Sequence, residues 1–342
     1  MDREKLAFIN PATGAQFGEV AMSTPEEVKQ AVDEMRGSFP AWSGKSVRER
    51  ARILKKFQNL LIDQRDEISS VVSQDTGKSR QDSLIELFIS VDMLAQNRAN
   101  AATWLKRRRV SSGLYFMKKC YVEHRPYGVV AVISPWNYPL LISLTPMFAA
   151  LLAGNTVVLK TSEVTPAVGV MIEKLFKSLP ELAPFVRVVH GDGKVGAALT
   201  NSKPDYIFVT GSTVTGKRIM QTAAENLIPV TLELGSKDAA IVLEDADIDS
   251  AARWITWGAH FNSGQTCVAV ERVYVVESKY DEFVQAAVKY TEKILSGFTL
   301  ETNSPYSMGP ITDPRQIQII DEHVKDAVAN GARVLCGGRD HG

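Results

Sequence analysis

The sequence predicts an α/β protein organised around a parallel sheet with helices on both faces. Two observations carry this. From residue 129 to 234, short β-branched runs alternate with helix-patterned segments. The runs at 129–133, 156–160, 185–190, 206–210 and 230–234 are largely apolar instead of alternating, which is the pattern of strands buried on both faces. The intervening segments 139–153, 165–178, 193–201 and 213–226 read as helices. Ligands of such sheets bind beyond the carboxyl ends of the strands. The loops after Ile133, Lys160, Thr210 and Leu234 are therefore the places to look for chemistry.

The flanking elements follow in order. Residues 1–24 read as irregular, with a turn at Asn10-Pro11-Ala12-Thr13-Gly14. Thr24-Pro25-Glu26-Glu27 has the form of a helix start: a cap, a proline and acids in the first turn. Helical spacing continues over 47–73 and 80–104, with Ile53, Leu54, Phe57, Leu60 and Leu61 on one side. The basic run Lys106, Arg107, Arg108, Arg109 reads as a solvated edge in preference to an anion site. Residues 114–125 alternate loosely, as a β-hairpin arm would. Beyond Leu234 the pattern predicts strands at 239–243 and 272–276 and helices at 247–261 and 279–295. No internal repeat is present.

Composition narrows the function. A length of 342 residues implies about two domains. With 39 basic and 39 acidic side chains the net charge is zero, which argues against broad nucleic-acid binding. Three cysteines form no disulfide framework and suit a reducing, cytoplasmic setting. The start Met1-Asp2-Arg3-Glu4-Lys5 has no apolar segment behind it, so no signal peptide is expected. Residues 126–159 carry no charge, but Pro135, Pro139, Pro146 and the polar Trp136-Asn137-Tyr138 break them up. No membrane span is expected there. The histidines at 124, 190, 260, 323 and 341 show no metal-ligand spacing.

Three segments bear on phosphates and sugars. Gly191-Asp192-Gly193-Lys194-Val195-Gly196 has the form G-x-G-x-x-G, but the next strand ends in Phe208-Val209-Thr210 without the acid a dinucleotide fingerprint needs. It reads as a tight strand-to-helix turn. Gly211-Ser212-Thr213-Val214-Thr215-Gly216-Lys217 nearly completes a phosphate loop, but Arg218 stands where magnesium needs a hydroxyl. A magnesium NTPase is a weak alternative. The loop still offers backbone N–H groups to a phosphate at a helix start. Lys160-Thr161-Ser162-Glu163 is either a solvated loop or a ribose clamp, with Lys160 and Glu163 reaching sugar hydroxyls.

Cys267 follows a Gly-containing turn, Asn262-Ser263-Gly264-Gln265-Thr266, while Cys120 and Cys336 read as ordinary small apolar residues. Glu233 stands between Leu232 and Leu234 at the end of a strand, where burial would be costly without a partner or a task. No histidine lies near either residue in sequence, so a Cys–His protease is poorly supported.

Five motifs in order carry a resemblance: Ser134-Pro135-Trp136-Asn137-Tyr138-Pro139; Ala153-Gly154-Asn155-Thr156-Val157-Val158-Leu159-Lys160; Phe208-Val209-Thr210-Gly211-Ser212; Leu232-Glu233-Leu234-Gly235-Ser236-Lys237; and Gly264-Gln265-Thr266-Cys267. With them the sequence resembles the NAD(P)-dependent aldehyde dehydrogenases from Asn10 onward. The resemblance implies a Rossmann-like cofactor domain (1–113 and 127–235), an oligomerisation arm (114–126) and an αβ catalytic domain from 236 to 342. It implies Cys267 as nucleophile, Asn137 as oxyanion donor and Glu233 as the base that activates water. It further implies that Ile133, Ser134, Pro135, Trp136, Lys160, Ser162, Glu163, Gly193, Thr210, Gly211, Ser212, Thr215, Gly216 and Leu234 hold the cofactor. Glu163 would repel a 2′-phosphate, so NAD is favoured, with NADP also admitted. A small aldehyde is the implied substrate, and a homodimer or homotetramer the implied assembly.

Two departures are visible. Ser236 stands where the family has the second Gly of E-L-G-G-K. Nothing after Cys267 matches the family's E-x-F-G-P motif, so the catalytic domain is expected to be incomplete by 342, with 331–342 as the lead-in to a region that does not follow. Two alternatives remain: release of the thioester to coenzyme A, which Glu233 argues against, and a nucleotide-binding chain without turnover.

Overall fold

The structure is a computed structural model that describes residues 3–301 and 303–338. Met1, Asp2 and residues 339–342 of the 331–342 lead-in, His341 among them, lie outside those residues.

The chain opens with two strands, β1 (Lys5–Ile9) and β2 (Gln16–Ala21), which form a two-stranded sheet. This corrects the irregular reading of 1–24. Their side chains are mostly polar or half-buried, so no apolar periodicity announces them. Helix α1 (Pro25–Ser43) starts where Thr24 predicted, closed by a reciprocal capping box between Thr24 and Glu27. Helix α2 (Val47–Asp63) has the same device in Ser46 and Glu49. The expected helix 47–73 is two helices. Gln64 leaves helical geometry at φ −98°, ψ 17°, and α3 (Arg65–Thr76) follows it, then α4 (Arg80–Trp104).

The arm begins earlier than predicted. Strands β3 (Arg108–Val110) and β4 (Cys120–Val122) pair antiparallel, with Val110 opposite Cys120. Residues 111–119 are the connection between the strands, not part of them. The basic run therefore supplies one strand of the hairpin.

The central region alternates as predicted: β5 (Val129–Ile133), α5 (Leu141–Ala153), β6 (Thr156–Lys160), α6 (Pro166–Lys177), β7 (Val186–Val189), α7 (Gly193–Asn201), β8 (Tyr206–Gly211), α8 (Thr213–Glu225) and β9 (Val230–Leu234). The five strands form one parallel sheet in the order β7-β6-β5-β8-β9. Every residue of β5 and β6 is buried. The apolar runs of these strands meet side chains from α1, α7 and α8 in one core, with Val32, Met35, Val129, Val158, Leu199 and Val209 among its members. Full burial of such side chains stabilises by about 1.5–3 kcal/mol each.

The remaining elements are β10 (Asp238–Val242), α9 (Ile248–His260), β11 (Val270–Val275), α10 (Tyr280–Thr291) and α11 (Pro314–Ala329). Strands β10 and β11 pair in parallel, and Val242, Ile248, Ala252 and Phe283 form a small separate core. Helix α11 is a finding the periodicity did not predict. Among the described residues no helix is long and apolar enough to cross a membrane; the uncharged run 126–159 is divided among β5, α5 and β6.

The chain divides into two compact units. The first holds residues up to Phe8, Gly18–Val71 and Leu84–Leu234, and so contains the five-stranded sheet and the arm. The second holds Ile9–Phe17, Val72–Ser83 and the chain from Gly235. It thus takes up two segments that the sequence reading placed with the first.

An acid–base pair, half-buried at Glu173 and buried at His190, ties α6 to the residue that follows β7. The Glu173 carboxylate accepts from His190 Nε2 at 3.1 Å and meets Lys177 Nζ at 2.5 Å. Burial pushes the Glu173 carboxyl up, but the hydrogen bonds and charges of His190 and Lys177 outweigh it and hold the carboxyl at about 2. A depressed carboxylate adds stability above its unfolded value, and that gain disappears as pH falls through the folded one. Thermal melts of wild type and Glu173→Gln should therefore differ fully near pH 6. The gap should shrink below about pH 4.3 and close near pH 2. A gap unchanged through this range would contradict the pairing.

Candidate active site

Because the five strands are parallel, their carboxyl ends lie on one side. The sheet order reverses direction at β5, which is flanked by β6 and β8. That is the switch point where doubly wound sheets bind ligands. Ile133 is in register with Lys160 on one side and Val209 on the other, and Thr210 is in register with Glu233. Ser134, Lys160, Thr210 and Glu233 are thus brought to the same end of the sheet.

Each position there has a local cause. Ile133 packs in the core at 7% exposure, which leaves only its backbone for a ligand. Ser134 N–H donates to the Lys160 carbonyl at 3.0 Å, and its hydroxyl lies 2.6 Å from that of Ser143. Pro135, Trp136 and Asn137 are half-buried in the turn between β5 and α5. That turn is fixed from α4. Glu86, 1% exposed, accepts hydrogen bonds from the backbone N–H of Leu140 at 2.8 Å and of Leu141 at 3.0 Å. A carboxylate at a helix start satisfies amides that have no intrahelical acceptor.

Lys160 is buried, with its Nζ 3.2 Å from Glu163 Oε2. Burial draws the ammonium below the usual lysine range, and Glu163 and Asp192 oppose that shift. The Ser162 hydroxyl accepts from Val164 N–H at 3.2 Å. Asp192 caps α7 by accepting from Lys194 N–H at 2.8 Å, and Gly193 is exposed in the first turn of that helix. At α8 the Ser212 hydroxyl accepts from Thr215 N–H at 3.2 Å and lies 3.0 Å from Thr215 Oγ1. These two hydroxyls shape the cap; Gly211 is half-buried beside it. Gly216 is buried against Leu234, where a Cβ would stand 2.6 Å from Leu234 Cδ2. Glycine lets α8 approach the end of β9 this closely.

Glu233 is exposed. The cost expected of burying this acid therefore does not arise, although the other positions of β9 are half-buried.

Cys267 belongs to the second unit and is exposed. Its loop leaves α9 through three consecutive residues with positive φ: Asn262 at 53°, Ser263 at 59° and Gly264 at 72°. Left-handed geometry is uncommon for residues other than glycine and costs of order 1–3 kcal/mol in strained cases. Side chains hold the run in place. Gln265 donates to the Asn262 carbonyl at 3.1 Å and accepts from Thr312 N–H at 2.8 Å. The Ser263 hydroxyl donates to the Gly309 carbonyl at 2.8 Å, and Thr312 Oγ1 donates to the Thr76 carbonyl at 2.7 Å. The nucleophile candidate thus sits on a loop braced from two other parts of its unit.

Glu86, Ser263, Gln265 and Thr312 were missed from sequence. Glu86 had a signal, since it interrupts the apolar run Leu84-Ile85-Glu86-Leu87-Phe88-Ile89, and Gln265 stood within the motif Gly264-Gln265-Thr266-Cys267 without a role of its own. Among the described residues no cluster of His, Cys, Asp and Glu could hold a metal ion.

Comparison with known proteins decides the family. The sequence profile described as the aldehyde dehydrogenase family matches residues 1–342. The chain belongs to the aldehyde dehydrogenase family. It is 39% identical to a 4,4'-diapolycopene aldehyde oxidase of Methylomonas over 332 residues, 96% of this chain and 62% of that protein. It is 32% identical to the D-glyceraldehyde dehydrogenase (NADP(+)) of Thermoplasma acidophilum, over 96% of this chain and 66% of the relative. The chain thus spans somewhat under two thirds of the length of these curated relatives. Among solved structures, lactaldehyde dehydrogenase from Escherichia coli superposes with a TM-score of 0.95 at 31% identity, covering 100% of this chain and 72% of that one. The NAD+ complex of an aldehyde dehydrogenase from Bacillus cereus gives 0.92 at 33%, covering 98% and 68%. The Rossmann-like fold expected from the sequence is that of these aldehyde dehydrogenases.

Removing the carboxylate in Glu86→Ala strands one buried and one part-buried amide and should cost about 1–3 kcal/mol. Glu86→Gln, which keeps one acceptor, should cost less. Urea unfolding monitored by circular dichroism checks the order.

Proposed function

We propose that this chain oxidises an aldehyde to a carboxylic acid with NAD, and accepts NADP as well, through a covalent intermediate on Cys267. The observation that carries the reading is the exposed Cys267 on its braced, left-handed loop. A structural cysteine is usually buried, and strain of this kind clusters where chemistry is done. The names of the relatives, an aldehyde oxidase and a glyceraldehyde dehydrogenase, agree with it.

The dinucleotide fits the residues present. Lys160, Ser162 and Glu163 at the end of β6 would hold the adenosine ribose. Gly211, Ser212 and the first turn of α8 would face the pyrophosphate, with Thr210, Thr215, Gly216 and Leu234 shaping that wall. Gly193 on α7 and the backbone from Ile133 to Trp136 would complete it. Glu163 disfavours a 2′-phosphate and Lys160 attracts one, and their 3.2 Å pairing leaves NAD preferred. When bound, the nicotinamide supplies the acceptor for the aldehyde hydrogen and its electron pair.

The protein supplies the rest. The Cys267 thiolate forms a C–S bond to the carbonyl carbon, and the oxygen takes up the negative charge. The Asn137 amide and the Cys267 N–H stabilise that oxyanion. Collapse with loss of the hydrogen leaves a thioester on Cys267. Glu233 then takes a proton from water as the water oxygen attacks, the C–S bond breaks, and the acid leaves. Exposure of Glu233 at the strand end suits a base that must meet water. We place the activity in a cytoplasmic homodimer or homotetramer, with the hairpin strands 108–110 and 120–122 contributing to the contact between copies.

The test is NADH formation at 340 nm by the full chain over an aldehyde panel. Cys267→Ala should abolish it, and Asn137→Ala should lower kcat about 100- to 1000-fold. Glu233→Gln should keep a burst of one NADH per site while steady turnover falls. Unchanged turnover in Cys267→Ala would sink the reading. Glu163→Gln should shift the NAD to NADP ratio of kcat/KM about tenfold toward NADP; an unmoved ratio would remove Glu163 from the ribose site.

A further inference from the structure

The hairpin arm carries two features that neither the sheet nor the cysteine loop uses. Its connection presents Leu114, Tyr115, Phe116 and Met117 in sequence at 95%, 73%, 85% and 85% exposure. Four consecutive apolar side chains this open are unusual on a water-facing surface. Around them the charge is one-sided. Residues 106–125 hold seven cations (Lys106, Arg107, Arg108, Arg109, Lys118, Lys119 and Arg125) against the single acid Glu123, a net of +6 in a chain whose total is zero. Glu123 is itself paired with Arg125 at 3.4 Å.

The base of the arm has a shape as well as a charge. The four cations at 106–109, with Thr103, Trp104 and His124, line an open cleft of about 530 Å³. Trp104 is 57% exposed beside it, and Arg107 lies 3.9 Å over the Tyr121 ring, which holds part of the cationic face in place. An apolar tip, cations on both sides of it in the chain, and exposed aromatic rings beside the basal cations are the side-chain types that meet a lipid surface: acyl chains, anionic headgroups and the interfacial belt.

We propose that residues 106–125 dock this protein on an anionic lipid bilayer. The 114–117 tip enters the headgroup–acyl boundary and the cations engage lipid phosphates and carboxylates. Two weak signals combine here, since neither a short apolar segment nor a basic patch alone anchors a protein stably. Attraction by the basic ring adds up per residue near an anionic surface and is screened by salt. The tip and the paired edges of the hairpin are different surfaces, so docking the tip leaves the strands for contacts between copies. The inference does not depend on the chemistry at Cys267.

The experiment is co-sedimentation of the full chain with sucrose-loaded vesicles of phosphatidylcholine alone or mixed with phosphatidylserine, at low and high salt. The protein should pellet with the mixed vesicles, stay in solution with phosphatidylcholine, and be released by salt. Lys118→Glu/Lys119→Glu should weaken partition about tenfold or more, and Leu114→Ser/Phe116→Ser should weaken it without altering the circular dichroism. Failure to pellet with phosphatidylserine vesicles overturns the proposal, as does partition that both double variants leave unchanged. Light scattering supplies the remaining decision. If Leu114→Ser/Phe116→Ser lowers the solution mass and the parent chain ignores vesicles, the tip is an interface between copies and the lipid proposal is wrong.

Discussion

Burial of β5 between β6 and β8 is the constraint on which the first unit depends. All five of its residues are covered, so its register is fixed by two neighbours at once, and a slip of one residue would turn its core-facing side chains to the other face. The pairing of Ile133 with both Lys160 and Val209 therefore sets where every following loop begins. Ser134 is tied to the Lys160 carbonyl because those strands end level with one another. The turn carrying Asn137 then has a fixed origin at the sheet and a fixed end at α5, where Glu86 holds the first amides. A long side chain from α4 thus completes what strand register starts.

The second unit solves a different problem. Cys267 is exposed, and an exposed loop is ordinarily mobile. Here the backbone is instead locked in an uncommon conformation by Ser263, Gln265 and Thr312. The strain of Asn262 and Ser263 is offset by hydrogen bonds that reach residues 309 to 312. Precision at an exposed position is obtained by connection to distant chain, since local packing there is thin.

Much of the sheet was legible because its strands are buried on both faces, and continuous apolar runs separated by amphipathic helices have few other readings. The carboxyl-end loops followed from that. Legibility failed where side chains carry no burial pattern. Strands β1 and β2 are half-exposed, α11 buries none of its described side chains, and the break at Gln64 lies within continuous helical spacing. The hairpin strands are three residues each, too short for alternation to declare their limits. The exposure of Glu233 was not legible, because its flanking leucines announce a core strand while its own side chain is left open on β9. The braces of the cysteine loop were invisible because they join residues 263 and 265 to 309 and 312, pairs that no local spacing connects.

The left-handed run at Asn262–Gly264 has a consequence for the order of folding. Its braces come from residues 309 and 312, some 46 positions later in the chain. Loops closed by such distant partners form late. During synthesis the segment around Cys267 therefore leaves the ribosome before the groups that brace it. The braces of the Cys267 loop therefore lie more than forty residues beyond the thiol, and a chain that has not reached them carries the cysteine without its frame.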